Sequence, residues 1–202
     1  MSESILSIID STEYLDSKIL ENLRRELFAI IDLMQNLDSR ITREGLDSGD
    51  LIWSLASGLA QDLKNFSRRE IELIFVGEQE ICALNAGHLG REYATDVLSF
   101  PIMQEWVADV DSSVESGVED LGVPCAPLGS IVINLPLCVR MSEKLGHTLA
   151  QEICLLFVHA LLHLLGFDHE RDSGEHRMLE STIITLAKLP PSLIDRSSEP
   201  CS

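Results

Sequence analysis

The sequence is poor in basic residues. It has 15 Lys and Arg against 33 Asp and Glu, which gives a formal net charge of −18. Because contacts to phosphate groups require cations, this balance taken alone argues against a nucleic-acid-binding protein. The acids are unevenly distributed, however: residues 102–127 hold 6 acids and no base, whereas residues 128–188 hold 7 acids and 5 bases. The charge therefore indicates a soluble chain more firmly than it excludes RNA as a partner.

The sequence also lacks a long hydrophobic run and a targeting signal. The longest apolar run, residues 153–167, contains two histidines and is shorter than the ~18 residues that a membrane span requires. The first ten residues lack the basic start and apolar stretch of a signal peptide. We therefore expect a cytoplasmic protein with no membrane partner. The run itself is typical of a helix that is buried on most sides.

Paired cysteines are missing as well. The chain has five cysteines, an odd number, and none of them forms a CxxC pair. A disulfide framework or a cysteine zinc site is therefore not expected, and a reducing compartment fits better. We interpret the cysteines as structural or incidental.

Apolar periodicity predicts strands that alternate with helices, followed by a helical C-terminal half. The predicted strands are residues 4–10, 71–76, 97–100 and 130–134. The predicted helices are residues 17–33, 51–65, 78–86, a helix opened by Pro136, 149–165 and 174–187. This order indicates the α/β (α+β) class, with a small mixed sheet packed with helices.

The segments between these elements suggest how the chain is organised. We expect a single domain over residues 1–188, with a helical extension at about 11–50 and a flexible tail at 189–202. Residues 37–50 are polar, contain Gly45 and Gly49, and are predicted to form a loop. Residues 103–127 are acidic and rich in Ser and Gly, which is typical of a long surface insert.

Three histidines stand close together in the most apolar stretch of the chain. Thr148 and Gln151 form a capping-box pattern that begins a helix, and His159 and His163 lie four residues apart on it. That spacing places both imidazoles on one helix face, with roughly 6 Å between their Cβ atoms. Gly166 is suited to a left-handed helix end, after which His169 can return toward the same point.

Such an arrangement is typical of a zinc-type metal site. Imidazole nitrogens bind Zn²⁺ at about 2.0–2.1 Å, and three of them leave one coordination position open, as catalytic sites do. The ion would lower the pKa of a bound water and so provide a nucleophile near neutral pH. We therefore predict one Zn²⁺ per chain, held by His159, His163 and His169. No residue is identified as the general base.

The spacing HxxxHxxGxxH is also similar to that of the metzincin peptidases, whose pattern is HExxHxxGxxH. Ala160 occupies the position of the glutamate that acts as general base in those enzymes. Because alanine cannot transfer a proton, a glutamate-based peptidase is disfavoured, while the metal geometry is preserved.

Three blocks in order resemble the YbeY family of bacterial rRNA-maturation factors. The first is Leu84-Asn85 followed by TDVLSFP at residues 95–101, the second is LGSIVI at residues 128–133, and the third is HALLHLLGFDH at residues 159–169. In the family the third block runs approximately HGxLHLLGYDH. The blocks cover roughly residues 70–188, and the first strand matches more weakly.

The resemblance implies a single-strand-specific, metal-dependent endoribonuclease with a zincin-like α/β fold. It implies a role in small-subunit (16S) rRNA 3′-end maturation, ribosome biogenesis and quality control. Single-stranded RNA and the ribosomal small subunit or its assembly proteins would be the partners. By position, His159, His163 and His169 match the metal ligands of the family.

The chain departs from the family pattern at two positions. Leu89 stands where the family usually has an arginine thought to contact RNA, and Arg91, two residues on, is a candidate RNA-binding substitute. Ser130 stands where the family commonly has an aspartate. Two alternatives therefore stay open: a non-catalytic ribosome-assembly factor with a structural zinc, and a metal-dependent hydrolase of another substrate.

The remaining polar residues support weaker predictions. Asp168 is a candidate to orient a metal-bound imidazole from outside the coordination sphere. Thr95 and Asp96 either cap the following strand or act in the site. We expect the other three histidines to lie at the surface: His88, His147 and His176.

Overall fold

The structure is a computed structural model that describes residues 6–44, 50–65, 70–102, 127–167 and 174–190. Four strands are present in these ranges, and they agree with the predicted ones. They are β1 (Leu6–Asp10), β2 (Ile71–Val76), β3 (Val97–Pro101) and β4 (Gly129–Asn134).

The described residues also contain seven helices. They are α1 (Ser17–Gln35), α2 (Leu37–Glu44), α3 (Asp50–Asn65), α4 (Glu78–Leu89), α5 (Leu135–Leu145), α6 (Leu149–Leu164) and α7 (Glu175–Leu186). Most of the predicted insert, residues 103–126, and most of the predicted tail, residues 191–202, lie outside the described ranges.

The four strands form one mixed sheet in the order β1-β2-β4-β3. β1 pairs with β2 in parallel, and β2 pairs with β4 in parallel. β3 pairs antiparallel with β4, with Ser99 opposite Ile131. The predicted fold class, a small mixed sheet packed with helices, is therefore confirmed.

The two faces of the sheet bury different residues. Leu73, Phe75 and Ile131 belong to the large core on one face, with residues of α1, α3, α6 and α7. Val76 and Val132 belong to a smaller cluster on the other face, together with α4. The alternation along each strand sends successive side chains to opposite faces, so both faces of the central strands are covered.

α6 is the most deeply buried helix. Eleven of its sixteen residues are buried, which explains why the chain has its longest apolar run here. α6 packs against α1, α5, α7, β3 and β4. Among the described residues no single helix has the length and apolarity needed to cross a membrane, and only the bent pair α5 and α6, at 115°, reaches that threshold together.

The prediction of a loop over residues 37–50 is wrong for its first part, because residues 37–44 form α2. Leu37 and Ile41 lie four residues apart and are both buried in the large core. This tertiary burial outweighs the polar composition that favoured a loop. Gly45 and Gly49 lie outside the described residues.

Gly129, the first residue of β4, permits a close approach between β3 and α6. A Cβ atom at this position would stand 2.5 Å from the carbonyl oxygen of Phe100 and 2.9 Å from Cδ2 of Leu164. The first contact is with backbone held in the β3–β4 ladder, so it cannot be relieved by a side-chain rotation. Glycine at residue 129 therefore sets the distance between the sheet and the end of α6.

We expect Gly129→Ala to lower the free energy of unfolding by about 1–3 kcal/mol, the usual cost of overpacking. Urea unfolding followed by circular dichroism measures this change. Gly58→Ala is the matched control, because Gly58 lies exposed in α3 with nothing within 4 Å of an added Cβ. That substitution should stabilise the protein by about 0.5–1 kcal/mol through helix propensity. Equal effects of the two substitutions would contradict the steric argument.

Cys154 lies in the core between α6 and α1. Burial, reinforced by the nearby carboxylate of Glu26, raises the pKa of the Cys154 thiol to about 12. The sulfur donates to Glu26 Oε2 at 3.9 Å, a weak interaction. The thiol is therefore held protonated, as the sequence-based interpretation of a structural cysteine requires.

Because the raised pKa keeps the Cys154 thiol protonated, little of the reactive thiolate is present at pH 8. We therefore expect iodoacetamide to alkylate Cys154 very slowly in the folded protein and readily in urea, as measured by peptide mass spectrometry. Cys82 is only partly buried and serves as the internal comparison. Alkylation of both cysteines at the same rate in the folded protein would contradict the prediction.

Candidate metal centre

The helix that carries the histidine pair begins with the predicted capping box. Thr148 accepts a hydrogen bond from the backbone N–H of Gln151, and Gln151 Oε1 accepts one from the backbone N–H of Thr148. Two of the N–H groups that every helix leaves unbonded at its start are thereby satisfied. The cap fixes where α6 begins and hence which residues form its polar stripe.

His159 and His163 lie on that stripe, as their spacing predicted. Their Nε2 atoms are 3.2 Å apart. Two nitrogens that bind one tetrahedral zinc ion at 2.0–2.1 Å lie about 3.3 Å from each other. The observed separation therefore fits a shared metal ion with no change of backbone.

Just after the end of α6, Gly166 has the left-handed conformation that the sequence predicts. Gly166 has φ +90° and donates its N–H to the carbonyl of His163, and the N–H of Phe167 bonds to the carbonyl of Leu162. Glycine tolerates this left-handed conformation without steric cost. Asp168 and His169 follow directly and lie outside the described residues, so their predicted roles stay predictions.

α7 brings a third histidine to the pair, one that the sequence analysis placed at the surface. His176 is 1% exposed, and its ring lies 4.8 Å from that of His159 and 4.6 Å from that of His163. One ligand atom from each of the three histidines lies within 4.8 Å of the others. The surface prediction for His176 is therefore wrong. Packing of α7 against α6, which a lone histidine in a polar segment does not reveal, buries the ring.

α7 also supplies a carboxylate. Glu180 Oε1 lies 2.9 Å from His159 Nδ1, and the Glu180 side chain is only 11% exposed. Because an ionised carboxylate can only accept, it holds the proton of His159 on Nδ1 and leaves Nε2 as the lone-pair nitrogen. His159 is thereby set in the tautomer and orientation that a metal ligand needs.

Glu180 was not among the predicted site residues, although its position on the inward face of α7 can be inferred from the sequence. The buried residues of α7 recur at helical spacing: His176, Leu179, Glu180, Ile183 and Ile184. The apolar members of this pattern define the inward face of the helix, and both polar members share it. Reading the face rather than the single residues would have identified His176 and Glu180 together.

The prediction that His147 lies at the surface is also wrong. Its side chain is 5% exposed, and Nε2 lies 2.6 Å from Oε2 of Glu152, whose side chain is 1% exposed. The prediction of a surface residue failed because the turn between α5 and α6 folds His147 back onto the first turn of α6. Glu152 precedes His159 by two helical turns, so Glu152 lies on the same stripe of α6 as His159 and His163.

The third surface prediction is confirmed, since His88 is exposed on α4 and its ring lies 4.7 Å from that of Phe100. Leu89 and Arg91 are exposed beside it. Gly90 ends α4 with φ +68°. This turn leads into β3, which packs against α6, but Arg91 belongs to a different element from the three histidines.

Polar side chains hold the segment before β3 in place through hydrogen bonds to the backbone. Asn85 is buried and donates from Nδ2 to the carbonyl of Tyr93. Asn134 donates from Nδ2 to the carbonyl of Thr95, and Asp96 Oδ1 accepts from the backbone N–H of Val97. These bonds fix the path of the chain between α4 and β3. The capping interpretation of Thr95 and Asp96 therefore accounts for their contacts.

Ser130, where an aspartate was the family expectation, meets a carboxylate from the neighbouring strand. Its hydroxyl donates to Glu72 Oε2 at 2.7 Å, and Glu72 is its direct partner in the β2–β4 register. A carboxyl group is thus present on this part of the sheet, on β2 rather than on β4.

The chain is similar to known proteins over most of its length. A sequence profile described as Endoribonuclease YbeY matches residues 38–190. The Endoribonuclease YbeY of Helicobacter pylori strain Shi470 is 44% identical over 129 residues, which are 64% of this chain and 79% of the relative. That of Campylobacter jejuni strain RM1221 is 41% identical over 150 residues, 74% of this chain and 93% of the relative.

A solved structure also aligns with the chain. It is the solution structure of a Thermotoga maritima protein, which is 20% identical and aligns over 97% of this chain and 100% of its own, with a TM-score of 0.45.

The contact between Glu180 and His159 predicts the effect of removing the carboxylate. We expect Glu180→Gln to weaken zinc binding about 10–100-fold, because an amide no longer fixes the proton on Nδ1 of His159. Competition with a chromophoric chelator measures the zinc affinity. Glu143→Gln on the exposed side of α5 removes the same charge and should leave the affinity unchanged. Equal affinities of wild type and Glu180→Gln would contradict the role of this contact.

Proposed function

The chain belongs to the Endoribonuclease YbeY family, and we therefore propose that it is a metal-dependent endoribonuclease that cleaves single-stranded RNA. We further propose that its substrate is the 3′ end of small-subunit ribosomal RNA during ribosome maturation. The observation that carries the proposal is the 3.2 Å separation of the Nε2 atoms of His159 and His163 on one buried helix.

The proposed ligands are His159, His163 and His169, and the proposed ion is one Zn²⁺ per chain. Imidazole nitrogens suit zinc among the common divalent ions. When bound, such an ion supplies a Lewis acid that offsets the negative charge developing on phosphoryl oxygens. Asp168, adjacent to His169, is proposed to orient a ligand.

The chain's own residues hold this site in place. α6 is buried on nearly all sides, so its two histidines have little freedom to separate. Glu180 keeps the proton of His159 on Nδ1. The His159 side chain is 30% exposed, so the site opens to solvent at this residue.

Substrate binding requires cations near this opening. We propose that Arg91 contacts RNA phosphate, since it is exposed in the turn that leads into β3 and β3 packs against α6. The ribosomal small subunit or its assembly proteins are the proposed partners, and the cytoplasm is the proposed location.

One observation favours a second candidate function, a non-catalytic ribosome-assembly factor with a structural zinc. Leu89 is 49% exposed at the end of α4, at the position where the family arginine was expected. An exposed leucine suits contact with a protein better than contact with phosphate. The net charge of −18 points in the same direction.

The decisive experiment compares cleavage of a single-stranded RNA that ends in the precursor 3′ sequence of small-subunit rRNA. We expect zinc-loaded wild type to cut it and His163→Ala to be at least about 100-fold slower, because the ion contributes several kcal/mol to the transition state. Low salt is used because phosphate contacts weaken steeply with ionic strength.

His88→Ala is the matched control, since it removes an exposed histidine outside the cluster and should cut at the wild-type rate. Equal cleavage by wild type and His163→Ala would show that the metal site does not act in the reaction. Failure of all three proteins to cut, with zinc bound, would favour the assembly factor.

A further inference from the structure

Two pairs of polar side chains face each other across the contact of α6 and α7. α6 carries His159 and His163 at positions i and i+4, and α7 carries His176 and Glu180 at the same spacing. Side chains four residues apart share one face of a helix. Each pair is therefore presented as a unit to the other helix.

Within this group the two residues of α7 have different relations to the α6 pair. Glu180 contacts Nδ1 of His159. His176 lies against both α6 rings: its ring is stacked on that of His163 at an interplanar angle of 29° and is set edge-on to that of His159 at 76°. The His176 ring thus contacts both histidine rings of α6.

The proton of His176 can be held away from a metal ion. Its Nε2 lies 3.5 Å from the backbone carbonyl oxygen of His159, a long contact to an acceptor. When a neutral imidazole directs its N–H to a carbonyl, the other ring nitrogen keeps its lone pair. A metal-bound histidine commonly has its second nitrogen disposed in this way.

We propose that His176 is an additional ligand of the metal ion, so that α7 contributes to the coordination sphere together with α6. The inference rests on the metal site of the proposed function and adds a residue to it. Three imidazoles whose ligand atoms lie within 4.8 Å of one another form the nitrogen-rich set that zinc prefers, and a small movement of the His176 ring would close that separation to the about 3.3 Å that a shared ion requires.

A ligand on α7 makes the site span two helices. With His159, His163 and His169 alone, one position of a tetrahedral ion stays open. A catalytic zinc ion can expand to five ligands, so His176 can be added without closing the position that the proposed reaction needs. His176 therefore ties α7 to α6 through the ion and makes metal binding stabilise the packing of the two helices.

Zinc affinity and the cobalt spectrum test this assignment in the full-length protein. We expect His176→Gln to weaken zinc binding at least about tenfold in competition with a chromophoric chelator. His176→Cys should restore the affinity, because a thiolate is also a zinc ligand. In the Co²⁺-loaded protein, His176→Cys should add a sulfur-to-cobalt charge-transfer absorption that wild type does not show.

His88→Cys is the matched control, because it places a thiol at an exposed position on α4, outside the cluster. It should bind zinc as wild type does and add no charge-transfer band. Should His176→Gln prove unfolded by circular dichroism, the band of His176→Cys decides alone. Wild-type zinc affinity in His176→Gln together with no band in His176→Cys would overturn the proposal.

The outcomes separate this inference from the proposed function. If wild type binds zinc and cuts RNA while the changes at residue 176 leave affinity and spectrum unaltered, only the additional ligand is wrong. If wild type binds zinc through His176 and does not cut RNA, the ligand holds and the nuclease proposal fails. If wild type binds no zinc, both are overturned.

Discussion

A helix buried on nearly every side must here carry three ionisable side chains along one stripe. Glu152, His159 and His163 follow one another on α6 at spacings of seven and four residues. Burying such groups is costly unless each meets a polar partner. Glu152 meets His147, His159 meets Glu180, and His163 meets the rings of His159 and His176. The α5–α6 turn and α7 supply these partners.

The elements that sequence reasoning identified are those whose signals are local. The strands, the Thr148 capping box, the left-handed Gly166 and the histidine pair each depend on residues within a few positions of one another. α2 was missed because its two apolar residues are too few to outweigh a polar composition until α3 covers them. His176 was missed for a related reason: its burial depends on how α7 packs against α6, across residues 168–173.

Charge is unevenly distributed between the candidate metal centre and other parts of the sequence. The groups of the candidate metal centre are imidazoles and one carboxylate from residues 128–188, the least acidic part of the chain, whereas residues 102–127 hold six acids and no base. The net charge of the chain is therefore a poor guide to the site, whose chemistry depends on a few side chains.

The position of β1 has a consequence for how the chain can be divided. The family match begins at residue 38, whereas β1 spans Leu6–Asp10 and is an outer strand of the sheet, paired along its whole length with β2. α1, which follows it, packs against α6. A fragment cut to the matched segment would leave β2 as a bare edge, with a row of unpaired amides beside apolar side chains. Such an edge is a template for strand addition between molecules, so we expect loss of β1 and α1 to favour self-association of the fragment.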